Sequence, residues 1–115
     1  MSAVLDITEA DFQRAVLELA KLGGWTVSHF RPARTARGWA TPVSADGKGF
    51  PDCVLVHPTR CLVWFRELKR EDGKLRPEQE AWRDVLLAGG ADWALWRPSD
   101  LDLIAATLTG RQVRR

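Results

Sequence analysis

Cysteine is scarce in this sequence of 115 residues, with Cys53 and Cys61 as the two examples. Both sit in strand-like stretches and neither has metal-ligand spacing. Buried free thiols in a reducing cytosol are therefore expected. Histidine is equally rare. His29 and His57 stand alone without ligand spacing, and neither is expected to be catalytic. No apolar run is long enough to cross a bilayer, and the start of the chain has no signal-peptide pattern, so neither membrane nor secretion is expected. Net charge is only +2, which by itself names no partner.

The distribution of charge says more than its sum. Arg31, Arg34, Arg37 and Lys48 share one acid-poor stretch with Trp39, and Arg111, Arg114 and Arg115 lie in a basic tail over 110–115. Clustered cations suit a phosphate backbone because neutralising phosphates releases counterions, and an aromatic among them can stack on an unpaired base. Arg31, Arg34, Arg37, Trp39, Lys48 and Arg111 are therefore candidate DNA contacts. At 45% hydrophobic and 28% charged, the chain has material for one core, and 1–115 is expected to be a single domain.

Periodicity places a helix from Thr8 to Leu22, with Thr8 as its N-cap and Gly23–Gly24 as its stop. Phe12, Val16, Leu19 and Ala20 form its apolar stripe, and the polar Glu9 and Gln13 project within that stripe. Strands are expected at Trp25–Phe30, Asp52–His57, Cys61–Lys69 and Asp92–Arg97, with a long irregular basic loop over 31–50. A second helix spans Pro77–Ala88, with proline at its first position and an inward stripe of Leu75, Gln79, Trp82 and Leu86. Again a polar residue, Gln79, points inward. Ser99 is expected to cap a last helix carrying Leu101, Ile104, Ala105 and Leu108. Trp25, Trp82 and Trp96 occupy core-like positions, and Trp64 shares a strand face with Arg66, read as a partly exposed face or a DNA contact. The order is helix, three strands, helix, strand, helix: an α/β fold with a mixed sheet covered by helices.

The chemistry concentrates in Gly49-Phe50-Pro51-Asp52 and, after fourteen intervening residues, Glu67-Leu68-Lys69. Alternation along a strand puts Glu67 and Lys69 on one face and Leu68 on the other. A hairpin would bring the Asp52 carboxylate near Glu67. Neighbouring carboxylates repel, and a hard cation such as Mg²⁺ or Mn²⁺ relieves that repulsion. A lysine beside them could orient an attacking water or stabilise charge on a phosphate. The inward Glu9, Gln13 and Gln79 then have a common destination.

These residues, with Gly73-Lys74-Leu75 leading to Gln79 and Trp82, Gly90 and the strand carrying Trp96, resemble the VRR-NUC domain (virus-type replication-repair nuclease) of the PD-(D/E)xK nuclease superfamily. The resemblance covers nearly the whole chain. It implies a restriction-endonuclease-like αβββαβ core with an extra C-terminal helix. It also implies that Asp52 and Glu67 ligate Mg²⁺ or Mn²⁺ with the Leu68 backbone carbonyl, and that Lys69 positions the water. Glu9 would complete the acidic site directly or through water, Gln79 would sit beside it, and Gln13 would support it from behind. The implied activity is metal-dependent, structure-specific cleavage of DNA phosphodiesters, most readily of a Holliday junction by a homodimer in a bacterial cytoplasm or, for a phage protein, that of its host. A nuclease for flaps, nicks or single strands is the alternative, and a non-catalytic DNA-binding module of the same fold is the alternative of another class. Arg66 and Arg76 depart from the family pattern, where an apolar residue and a capping serine would be usual.

Overall fold

The computed structural model describes residues 3–30, 33–35, 38–40 and 45–110, with 33–35 and 38–40 described by their backbone alone. Helix α1 spans Glu9–Leu22, and the Thr8 hydroxyl accepts the Asp11 N–H at 3.1 Å, which satisfies one of the donors every helix start leaves free. Its Phe12, Val16 and Ala20 are fully buried. The main sheet contains β1 (Thr26–His29), β4 (Cys53–His57), β5 (Leu62–Leu68) and β6 (Asp92–Trp96), side by side in that order. The pairs β1–β4 and β4–β5 are antiparallel and β5–β6 is parallel. A parallel pair needs a long crossover, and helix α2 (Pro77–Ala88) supplies it.

Two faces of the sheet have different uses. On one, Cys53, Leu55, Trp64, Leu68 and Trp96 pack against α1 and against helix α3 (Leu101–Thr109), forming the main core. Trp25 closes its edge by donating its indole N–H to the Leu108 carbonyl at 2.7 Å. On the other lie Phe65, Glu67 and α2. This is the mixed, helix-covered sheet that the pattern of elements predicts.

Several expectations need correction. The stretch 31–50 is not wholly irregular. Within it β2 (Ala33–Thr35) and β3 (Gly38–Ala40) pair antiparallel, Thr35 opposite Gly38, as a separate two-stranded sheet. Strands of three residues are too short to show alternation in sequence. Ser99 does not cap α3. Pro98 starts a 3₁₀ turn through Asp100 that leads directly into the helix, and the Ser99 N–H goes to the Glu71 carboxylate at 3.0 Å. Cys53 is buried as expected, but Cys61 is exposed in the β4–β5 turn. Trp82 is half-buried rather than core.

Arg66 differs most. It is 5% exposed, not on an open face. Its guanidinium stacks over Trp64 and Trp96, 4.6 and 5.0 Å from the ring centroids, and pairs with Asp92 at 2.9 Å. It also donates to the Phe65 and Asp92 carbonyls at 3.0 and 2.8 Å. Burial lowers the guanidinium's pKa, and Asp92 opposes that shift. The two partners are unequal, because the Asp92 side chain is 55% exposed. Asp92→Ala, which strands a buried cation, is expected to destabilise the fold by about 3 kcal/mol. Arg66→Met, which leaves a hydrated carboxylate and preserves volume, should cost only about 1 kcal/mol. Chemical denaturation of the two variants checks the order, and equal losses would disprove it.

Candidate active site

The Gly49–Asp52 segment explains itself residue by residue. Gly49 has φ +89° and lies against the backbone of Glu78, an approach that only a residue without Cβ can make. Phe50 sets its ring edge-on to Phe30, Phe65 and Trp82, with centroids 5.5, 6.0 and 4.9 Å away. Pro51 is buried, and Asp52 stands immediately before β4, its carbonyl accepting the Phe30 N–H at 2.9 Å. The Asp52 carboxylate then takes the Leu68 N–H at 2.9 Å, which locks it beside Glu67.

Glu67 is 2% exposed. Its carboxyl is pushed up to about 9, first by burial and then by its hydrogen-bonding contact with the Asp52 carboxyl and that group's charge; Lys69 opposes the shift. Gln79, 5% exposed, bridges this pair to α2. Its Nε2 donates to Glu67 Oε2 at 3.0 Å, and its Oε1 accepts the Arg76 N–H at 2.9 Å, serving as half of a helix cap. An amide can play both parts at once, whereas a glutamate here would repel Glu67. Arg76 is the N-cap residue and, having no side-chain acceptor, takes part in the cap only through its own N–H to Gln79.

Glu9 is the first residue of α1, half-buried. Its carboxyl is raised by burial and by Asp52, while Lys69, Arg76 and Arg70 pull it down. Lys69 follows the end of β5, its N–H bonded to the Trp96 carbonyl at 3.1 Å. Glu9, Asp52, Glu67, Lys69 and Gln79 are thus drawn to one end of the sheet from four segments. Gln13 is half-buried one turn along α1 and takes no part in these hydrogen bonds. Arg31, Arg37 and Arg111 lie outside the described residues. Arg34 and Trp39 are backbone partners across the β2–β3 hairpin, and Lys48 is exposed in the turn leading to Gly49.

The donor set fits a hard divalent cation. Two carboxyls in contact, one of them buried and forced to hold a proton, are a pair that a small cation would relieve more completely than a proton does. Among the described residues no three His, Cys, Asp or Glu side chains converge on one point. An ion here would be held by Asp52, Glu67 and the Leu68 carbonyl and would retain several waters, as Mg²⁺ does, with Glu9 reaching it directly or through water. Cys53, on the opposite sheet face, is no ligand: burial, then Asp52 and Glu67, push its thiol up to about 12.

A stability prediction follows from Glu67. A carboxyl raised from 4.5 to about 9 binds its proton more tightly folded than unfolded. Its contribution is complete below about pH 4.5 and is lost as pH rises towards 9. Without metal, the melting temperature of the wild type should fall between pH 5 and 9 more steeply than that of Glu67→Gln. At pH 8 the glutamine variant should be more stable by about 1 kcal/mol, and Mn²⁺ should raise the wild type alone. Parallel pH profiles in EDTA would contradict this.

Two features of the site were not anticipated. Trp82 donates its indole N–H to the Asp46 carbonyl at 2.8 Å, tying the segment before Asp52 to α2. Its place on the Gln79 stripe was a usable signal. Arg97 donates to the carbonyls of Arg70 and Glu71, both at 3.0 Å, and Gly73, at 2.6 Å, holding the turn after Lys69. Nothing local in sequence marks that role.

No family model matches this sequence, and no curated protein matches it. Among solved structures, one described as "VRR_NUC domain" is similar with a TM-score of 0.62 at 22% identity, covering 85% of this chain and 95% of the other. At that identity the likeness is one of fold. The chain therefore has the restriction-endonuclease-like fold that the motif resemblance implies.

Proposed function

We propose that this chain is a VRR-NUC-type nuclease that hydrolyses DNA phosphodiesters with Mg²⁺ or Mn²⁺. The observation that carries the reading is the Asp52–Glu67 carboxyl pair, fixed by the Leu68 N–H and Gln79 and faced by Lys69, at one end of a nuclease-type fold. Asp52, Glu67 and the Leu68 carbonyl would hold the ion. Its chemistry is charge stabilisation on the phosphate and supply of a nucleophile at neutral pH. Lys69 orients that nucleophile and offsets charge on the phosphate. Gln79 keeps Glu67 aimed, and Glu9 orders water from the α1 side. Hydrolysis by direct displacement needs no covalent link to the protein.

Within DNA, a four-way junction cut by a homodimer is the substrate we favour, because two-fold symmetric sites match two-fold symmetric strands. Lys48 and the basic residues of 31–40 with Arg111 would meet the backbone, and Trp39 an unpaired base. The test is cleavage of a junction beside flap, nicked, single-stranded and linear DNA in Mg²⁺, Mn²⁺ or EDTA. Paired symmetric nicks that vanish in EDTA are expected. Metal-dependent cutting of another structure would retain the site and discard the junction, and binding without cutting would identify a non-catalytic module.

A further inference from the structure

Three acids facing a polyanion are a repulsive surface, so a nuclease site of this composition needs cations placed beyond its ligands. Two arginines outside the motif stand where such cations are required. Arg70 follows Lys69 directly and donates to the Leu5 carbonyl at 3.1 Å, which puts its guanidinium at the approach to α1, where Glu9 begins. Arg76 lies on the other side: its backbone N–H is held by Gln79, whose amide holds Glu67, and its guanidinium pairs with Glu78. Both arginines are close enough to Glu9 to pull its carboxyl down, as Lys69 does.

The arginines are not consumed by their own partners. Arg70 pairs with Asp72 at 2.7 Å and Arg76 with Glu78 at 3.2 Å, yet their side chains stay 46% and 67% exposed. Exposed pairs of this kind contribute little to folding and exchange readily for another anion. A guanidinium fork matches two phosphate oxygens better than an ammonium does.

We infer that Arg70 and Arg76 form a phosphate-binding rim that grips backbone phosphates on either side of the cleaved one. The rim rests on the nuclease reading and adds to it which surface carries the non-specific part of DNA affinity. It reads backbone, not sequence, so it serves any DNA structure the enzyme prefers.

The test measures affinity for a fluorescent DNA duplex and a four-way junction in Ca²⁺ over a series of salt concentrations. Arg70→Gln and Arg76→Gln should each lose several-fold in affinity and flatten the log–log salt slope by about 0.9, one phosphate contact apiece. Arg70→Lys and Arg76→Lys should keep the slope, and so should Arg14→Gln, an exposed control paired with Asp11 on α1. Unchanged slopes in both glutamine variants, with wild-type cleavage intact, would overturn the rim and leave the nuclease. Flattened slopes in a protein that never cuts DNA would keep the rim and overturn the nuclease. Absence of DNA binding by the wild type would overturn both.

Discussion

Asp52→Asn is expected to lower the rate of DNA cleavage by at least about a thousandfold, some 4 kcal/mol of transition-state stabilisation. The substitution is chosen because asparagine still offers an oxygen to the Leu68 N–H, the bond that fixes the side chain at 2.9 Å. Geometry is kept and charge is removed. In EDTA near neutral pH the fold should melt only modestly lower than the wild type, since the Leu68 bond is kept and only the charged acceptor for the proton held by buried Glu67 is lost. What disappears is the second carboxylate of the metal pair, and with it the reason for the site to prefer a divalent cation over a proton. Single-turnover cleavage at saturating Mn²⁺ separates weak metal binding from lost chemistry. Residual activity within tenfold of the wild type would mean that Asp52 is not a ligand, and the proposed centre would have to be abandoned.

Much of this site was legible because strand alternation is a hard rule. Glu67 and Lys69 had to share a face, and Leu68 had to enter the core, where it is fully buried. Helical spacing was nearly as informative, since Glu9 and Gln79 were conspicuous as polar residues on apolar stripes. What remained hidden depended on neighbours distant in sequence. Arg66 looked like a surface residue because nothing adjacent reveals that Trp96 and Asp92, on the paired strand, complete its cage. Ser99 looked like a cap because its own spacing was right, but Pro98 had already started the turn. The β2–β3 hairpin is too short to leave a periodic signature. In each case local preference lost to a tertiary contact, whereas the face of the candidate site, set by local periodicity and one hairpin, did not.

Gly49→Ala should damage the protein far more than Gly90→Ala, although both glycines sit in turns. Both glycines have positive φ, +89° and +84°. An alanine at either carries the left-handed backbone cost of roughly 1–2 kcal/mol. Gly90 has no heavy atom within 4 Å of the added Cβ, so that cost is all it should show. At Gly49 the same carbon would overlap the Glu78 carbonyl, a backbone group of α2 that no side-chain rotation can move aside. The segment must lift, and lifting it strains the Trp82–Asp46 hydrogen bond and the Phe50 ring contacts with Trp82 and Phe65. Three residues on is Asp52. Destabilisation of about 3 kcal/mol or more is expected from the combined strain and lost packing. Cleavage should fall at least about a hundredfold even at temperatures where the variant is folded, because a ligand displaced by about 1 Å costs that much. The pair of variants separates the two causes. If Gly49→Ala and Gly90→Ala lose equal stability and both keep full activity, then α2 does not hold the Asp52 segment in place. If only Gly49→Ala loses cleavage, the close approach of glycine to helix is what brings Asp52, the proposed metal ligand, to its partner.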